Sequence, residues 1–499
     1  MPEAAANPAL DEELIYVGQW WVPGFEHQKL IGDLVRTEKR GMQLRFRVAE
    51  GFTSGVQQPI KVIHGTDKHG KPVTLFHSMW AGDSQSAALC NFAYRVGYCF
   101  HGLHLHSWAD AVFDEYETDL EHLSAWVDIS GFLQENAPDL EFVIHHRLPA
   151  DREFDSGKGF KVTLAAHGHA QSSIDGTRSI KESWLLRLVY PEPQNFKRIR
   201  RDAHKIRRLL SLAVGKPLHE QTFILRRKID SKWAAGKRLA RDIRCISSGT
   251  HWPNPSRKRH ACEMRFSFPN VEQEFEKILR CWMSLQERLA DVLNLLFSTE
   301  ENSALYTHHK FLVLAQALEV YHRCWRERYP QNVETKVDFT ARKKRILSGL
   351  SKTDAAWLKS KIGATNNVTL DTRLHAVLAD KRKWLAGLVV NEKEFAKTVR
   401  LLRNQYTHWP EPSKRKTKAK AADTYEVYER LFRVLLVCVL SDLGLPDAVI
   451  RRAAKYDPGV WVSYTEKEEQ TPTTNSFPLL GLPLSRGRNY GKPKKKSAD

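Results

Sequence analysis

Between residues 14 and about 190 the apolar positions alternate with polar ones, or form short runs cut by Gly, Pro and Asp. LIYVGQWWVPG, GMQLRFRVAEGF, PIKVIHG, KPVTLFHSMW, SAWVDISGF, LEFVIHH and FKVTLAAHGHAQSS are the segments concerned. Period two sends successive side chains to opposite faces, so these segments predict strands. Helical periodicity is scarce here, and residues 13–194 predict an antiparallel sandwich or open barrel whose last strand is broken by Pro191 and Pro193. The pattern then changes. Ile199, Ala203, Ile206 and Leu210 recur at helical spacing, and one helix from Val271 to Phe297 carries Phe275, Ile278, Trp282, Leu285, Leu289, Val292 and Leu296. Residues 195–302 therefore read as a basic connector of mixed and helical structure. Helices follow at about 304–328, 353–362, 371–388, 391–407 and 422–443, a bundle occupying 303–445. Residues 1–12 and 446–499 read as tails, the second rich in Pro, Gly, Ser and Lys and expected to be largely disordered. The fold class expected is α+β multidomain: a β-rich N-terminal domain, a basic helical connector and a C-terminal all-α bundle.

Composition narrows the setting. A chain of 499 residues is too long for one core, and its 42% hydrophobic content suffices for packed domains. The best apolar run, Leu435 to Leu440, is far short of the roughly 20 residues a membrane helix needs, and the acidic, proline-containing start does not resemble a signal peptide. Seven scattered cysteines without a CxxC pair fit free thiols, so a reducing cytoplasm is the expected location. A net charge of +19 favours a polyanionic partner, and without a membrane anchor that partner is nucleic acid. Residues 195–260 hold 19 Lys or Arg against four Asp or Glu, which suits either a solvated helix face or a phosphate-facing surface. The histidines of HGLHLH (His101, His104, His106), with His145, His146, His167 and His169, invite a metal hypothesis. No HExxH or cysteine pair supports it, period-two histidines can share one sheet face, and neither a metal nor another cofactor is expected. No phosphate-binding glycine loop, serine nucleophile elbow or DxD cluster is present.

Candidate chemistry is concentrated in NEKEFAKTVRLLRNQYTHWPEPSKRKTKAK, residues 391–420. Asn391 with Glu394 makes a capping pair, and Phe395, Val399, Leu402 and Tyr406 form the core stripe of the helix that follows. Arg403 falls about 80° from the centre of that stripe and Asn404 about 180°. Pro410 disfavours helical geometry at Trp409, so the helix ends near His408. An imidazole there meets the negative end of the helix dipole, which favours its protonated form and suits acid–base work. Arg403 offers a permanently charged fork for a phosphate oxygen, and Asn404 can orient substrate or imidazole. Lys414, Arg415, Lys416, Lys418 and Lys420 follow as a basic loop able to hold a phosphate backbone. Alone, the R-x4-H spacing is unspecific, and a surface ion-pair network with a helix-capping imidazole accounts for it better.

With the asparagine after the arginine, and the apolar helix after the loop, RNQYTH resembles the RN-x3-H signature of HEPN domains. FLVLAQALEVYHRCW, with Glu319 inside its apolar run, resembles the first long helix of the ApeA-like branch. YVGQWWVPG, KLIGDL and SAWVDISGF are similar to the N-terminal domain that accompanies ApeA-like HEPN domains in bacterial anti-phage proteins. The resemblance implies a metal-independent endoribonuclease with Arg403, Asn404 and His408 at its site and Glu319 either fixing them or merely an exposed acid. It further implies 2′-hydroxyl attack leaving a cyclic phosphate and a 5′-hydroxyl, anti-phage defence by abortive infection, RNA as partner, a possible phage-derived trigger at the N-terminal domain, and a homodimer in which two motifs supply base and acid. Two readings compete with it. In one the bundle serves as a non-catalytic RNA-binding or phage-sensing dimer; in the other the β-rich domain is a glycan or peptide receptor, which exposed Trp20, Trp21 and Trp80 would support.

Overall fold

Six strands open the chain: β1 (Glu12–Trp21), β2 (Leu30–Thr37), β3 (Gly41–Ala49), β4 (Ile60–Asp67), β5 (Pro72–Gln85) and β6 (Leu89–Arg95). The computed structural model describes residues 12–37, 40–49, 58–85, 89–136, 142–228, 240–248, 259–302, 304–408 and 421–455. Within it these strands pair antiparallel in the order β5-β4-β1-β2-β3-β6, and β6 returns to β5, closing a six-stranded barrel. Inward positions at alternate residues fill it: Trp20, Leu34, Met42, Leu44, Phe46, Ile63, Leu75, Phe92 and Tyr94 are buried together. Trp20 donates from Nε1 to the Gly32 carbonyl at 2.9 Å. Its ring lies so close over Gly65 that a Cβ there would meet Trp20 Cε3 at 2.3 Å, which is why a strand interior holds glycine at this point.

The sheet does not stop at the barrel. β7 (Tyr98–His101) pairs with β5, and β8 (Val112–Leu120), β11 (Arg152–Asp155), β12 (Lys161–Ser172), β13 (Arg178–Asn195), β14 (Glu220–Lys228) and β15 (Ala240–Ser247) continue it. The full order is β11-β12-β13-β8-β14-β15-β7-β5-β4-β1-β2-β3-β6, with β9 (Phe132–Asn136) and β10 (Phe142–His146) as a separate hairpin. Helices α1 (Leu123–Val127), α2 (Phe196–Val214) and α3 (Phe275–Arg288) cover it, and α4 (Ala290–Glu301) lies between this layer and the helices beyond. Those are α5 (Thr307–Cys324), α6 (Lys336–Ser348), α7 (Lys352–Lys361), α8 (Leu370–Leu385), α9 (Glu392–His408), α10 (Ala421–Asp442) and α11 (Asp447–Lys455). One contiguous cluster of buried side chains runs from Phe76 through Tyr116, Phe196, Trp282 and Leu314 to Ala454. The open sheet and the helix bundle thus share a core.

Four sequence expectations change. Pro191 and Pro193 lie inside β13 rather than ending it: the ladder to β8 is interrupted between Val189 and Gln194, so two residues without an N–H donor leave no pairing unmade. Residues 195–247 supply α2, β14 and β15 to the same sheet and core, so strand pairing continues well beyond residue 194 into the segment read as a connector. The helix expected over Val271–Phe297 is two, because Leu289, with φ −107° and ψ 22°, leaves helical geometry while its side chain keeps the apolar spacing. Finally, the tail expected from residue 446 begins with α11, whose Val449, Ile450, Ala453 and Ala454 are buried, and the rest of that tail, 456–499, lies outside the described residues.

Within the described part of the basic segment, several arginines find partners inside the protein. Arg226 reaches Glu117 at 2.8 Å and Asp242 at 2.7 Å, and Arg227 donates to the carbonyls of Val112 and Asp110. Arg200 and Arg207 converge on the buried Glu220. Arg208 caps the Leu293 carbonyl and bonds Asn294 at 2.8 Å. These five arginines, among the described residues, stitch strands and helices together.

Candidate active site

The helix that carries the candidate residues is set by its ends and its stripe. Asn391 Oδ1 accepts from the Glu394 N–H at 3.0 Å, and Phe395, Ala396, Val399 and Leu402 are buried along one face of α9. Tyr406, half-buried, closes that face with a hydroxyl contact to Thr424 Oγ1 at 2.8 Å on α10. Asn404 and His408 are exposed on the other flank, with Arg403 between flank and core. His408 is the last residue of α9.

Arg403 points Nη2 toward Glu319 Oε1 of α5 at 3.7 Å, an ion pair without hydrogen-bond geometry between side chains 38% and 24% exposed. On α8, Arg373 is a buried guanidinium that donates to His322 Nδ1 at 2.8 Å and to Gln331 Oε1 at 3.0 Å. Burial, and then the nearby charge of Arg323, disfavour the charged form of Arg373, and the charge of Glu319 works the other way. His322, stacked on Tyr329 at 4.9 Å, is pushed down to about 4 by burial and by Arg373, so its ring stays neutral and accepts the arginine's hydrogen bond. Arg403 of α9 thus pairs with Glu319 of α5, and Arg373 of α8 bonds His322 of α5, with the Glu319 charge felt at Arg373. At the far end of α9, the ring of His308 lies 5.5 Å from Tyr406 and 4.2 Å from His309. Burial and then His309 hold His308 below the usual histidine range.

Of the candidate residues, Arg403 and Glu319 are brought into contact, Asn404 and His408 share an open flank, and Lys414, Arg415, Lys416, Lys418 and Lys420 lie outside the described residues. Arg373 and His308 were not anticipated. The paired histidines of THHK are visible as a pattern at the start of a helix, but nothing in the spacing of LDTRLHAVL distinguishes a buried arginine from a surface one.

The histidine-rich segment is dispersed. His101 ends β7 and its Nε2 pairs with Asp67 at 2.9 Å under a stacked Tyr16 ring, while His104 and His106 follow in the loop beyond, so HGLHLH does not lie on one strand face. Among the described residues no group of three or more His, Cys, Asp or Glu is arranged to hold a metal ion. Tyr16, His101, Lys68, Lys71 and Arg244 line a cavity of about 820 Å³ where the barrel joins the open sheet. Burial pushes the Tyr16 phenol up to about 12, so it remains a hydrogen-bond donor. Trp20 and Trp21 are buried and Trp80 is half-buried against the barrel core, which removes the aromatic surface a receptor reading needed.

With this geometry in place, comparison with known families is decisive. The family described as ApeA N-terminal domain 1 matches residues 15–282, more than half of the chain, and the family described as Apea-like HEPN matches residues 312–449. The chain belongs to the ApeA-like HEPN family. No curated protein and no solved structure matches it. Membership makes it, in general terms, a HEPN nuclease-type anti-phage protein. The ApeA N-terminal match ends inside α3 and so includes α2, β14 and β15, in keeping with their place in the sheet. The Apea-like HEPN match spans α9 whole, with Glu319, Arg403, Asn404 and His408 all inside it. No helix among the described residues is long and apolar enough to cross a membrane.

Proposed function

We propose that this chain is a metal-independent endoribonuclease of the bacterial cytoplasm that defends against phage by abortive infection, cutting RNA through its own 2′-hydroxyl. The observation that carries the reading is the arrangement on α9: Asn404 and His408 on an open flank, beside an arginine that Glu319 holds toward the same end of the bundle. In the reaction a base takes the 2′ proton, the 2′ oxygen bonds to phosphorus, the bond from phosphorus to the 5′ oxygen breaks, and an acid protonates that oxygen. The products are a 2′,3′-cyclic phosphate and a 5′-hydroxyl. Arg403 bears the charge growing on the phosphate, Asn404 orients it, and His408 transfers a proton. Glu319 positions Arg403.

On an ideal helix residues five apart diverge by about 140°, so Arg403 and His408 of one chain do not converge on a single phosphate. That divergence supports a two-fold homodimer in which two α9 ends face one RNA, each supplying one imidazole. A trigger of phage origin would act on the ApeA-type domain, where the cavity beside Tyr16 and His101 offers a concave surface.

The decisive experiment is single-turnover cleavage of cellular RNA by wild type, His408→Ala and Arg403→Ala, with and without excess EDTA. Cleavage persists in EDTA, stops in both variants, leaves cyclic phosphate ends and fails on RNA carrying a 2′-deoxy nucleotide at the cut. RNA binding unchanged in a wild type that never cuts would favour the other reading, a non-catalytic RNA-binding dimer.

A further inference from the structure

Between Tyr329 and Leu370 the chain leaves the bundle as a helical hairpin, α6 and α7, and neither helix buries a single residue. Helices of 13 and 10 residues are too short to persist on propensity alone, and tertiary packing normally supports them. Here caps and a clasp do so instead. Thr335 accepts from the Asp338 N–H and bonds its carboxylate at 2.6 Å, and Ser351 does the same with Asp354 at 2.7 Å. At the base, Val333 N–H donates to the Asn366 carbonyl at 2.8 Å and Val368 N–H to the Gln331 carbonyl at 3.2 Å.

The charges on the hairpin are unbalanced. Residues 335–361 hold eight Lys or Arg and two Asp, and both aspartates are occupied in the caps. The neighbouring Glu334 is taken by Arg342 at 2.9 Å. Among the described residues Lys336, Lys343, Lys344, Arg345, Lys352, Lys359 and Lys361 have no carboxylate within ion-pair distance, and Trp357 stands 64% exposed among them. Lys336 and Lys343, and likewise Lys352 and Lys359, are seven residues apart, two turns along one helix face.

We propose that this hairpin is an RNA-binding arm of the HEPN domain, with phosphates on its lysines and arginines and an unpaired base stacked on Trp357. The proposal rests on the RNA substrate proposed above and extends it to a surface remote from α9 in sequence. Charge selects the occupant: a second copy of a chain with net charge +19 would bring like charge, whereas every nucleotide brings a phosphate, and an exposed tryptophan is a sequence-tolerant stacking platform. The arm also connects to the candidate site. Gln331 in its clasp accepts from Arg373, a guanidinium whose charge Glu319 of the candidate site favours.

The test uses the full chain and a fluorescein-labelled, single-stranded 2′-O-methyl RNA of mixed sequence, which lacks the attacking hydroxyl, titrated at increasing salt. Two variants are compared: Lys343→Gln/Lys344→Gln/Lys352→Gln/Lys359→Gln, and Trp357→Ala. Since the hairpin contributes no buried side chain, both should fold, and circular dichroism with sedimentation confirms it. The charge variant flattens the slope of log K against log salt by ~0.7 for each lost phosphate contact. Trp357→Ala weakens binding about tenfold. Affinity and slope unchanged in both variants overturn the arm, as does a shift from dimer to monomer with RNA binding intact, which would make the hairpin a protein interface. A wild type that binds with the predicted slopes but cuts no RNA upholds the arm and removes the ribonuclease reading. Cleavage with unaltered slopes does the reverse.

Discussion

Replacing Glu319 by glutamine separates two roles that geometry alone leaves adjacent. The pair it makes with Arg403 spans 3.7 Å between side chains 24% and 38% exposed. Bare Coulomb attraction at that distance is about 4 kcal/mol for an effective dielectric constant near 20, but partly exposed pairs retain only about 0.5–1 kcal/mol after screening and side-chain ordering. If Glu319 only holds the guanidinium, Glu319→Gln can remove no more than that from transition-state stabilisation, which is roughly a two- to fivefold loss in kcat. If the carboxylate instead transferred a proton, the loss would be about 10²–10⁴-fold. Single-turnover cleavage at saturating RNA across pH 5–9, with thermal unfolding as a control, measures the difference. We expect a loss of a few fold, an unchanged pH profile and a stability change under about 1 kcal/mol. A hundredfold loss, or disappearance of one limb of the profile, refutes the positioning role and makes Glu319 a second proton-transfer group.

Asp442 at the end of α10 accepts from Tyr321 at 2.8 Å, Arg328 at 3.0 Å and the buried Lys381 at 3.2 Å, so Asp442→Ala should cost about 3–5 kcal/mol in denaturant unfolding, and Lys381→Met in the same chain should return part of it. His322, lowered to about 4 in the folded chain, lets the unfolded chain bind more protons between pH 6.5 and 4. Stability therefore falls as pH drops through that window, by up to about 3 kcal/mol from this group, and is flat in its contribution below it. His322→Asn should flatten the dependence in urea titrations. For the proposed homodimer, mixing wild type with excess His408→Ala should depress activity below the level set by dilution, provided subunits exchange, and dilution-only behaviour would count against a composite site.

What was legible in the sequence follows from where side chains end up. α9 could be drawn residue by residue, from the Asn391 cap through the stripe of Phe395, Val399 and Leu402 to its end at His408, because capping and amphipathic spacing are local properties. The strands of the barrel were equally visible in their alternation, but closure was not: it depends on β6 meeting β5 as well as β3, a pairing between strands whose pattern looks the same in a sandwich. α6 buries nothing and left no apolar stripe to find, although α7, equally unburied, was expected at 353–362. The charge count of the basic run at 195–260 does not show partners: Arg226 meets Glu115 and Glu117 more than 100 residues away, while Arg200 and Arg207 meet Glu220 inside the run itself. Arg373 illustrates the same limit in the site itself: its neighbours His322 and Gln331 come from 51 and 42 residues away.

The unbroken core between the open sheet and the bundle changes how the two family regions can be handled. Trp282 and Leu279 of α3, and Val292 and Leu296 of α4, belong to the same buried cluster as Leu314 and Leu318 of α5. A cut at residue 303 would strip one side from that layer and leave a wide apolar surface on both fragments. The ApeA-type region and the HEPN region thus share one buried core, and we expect them to unfold together. A chimera that grafts a different N-terminal region onto this bundle would have to bring its own counterpart of α3 and α4, fitted to α5, or be lost to aggregation before any cutting is measured.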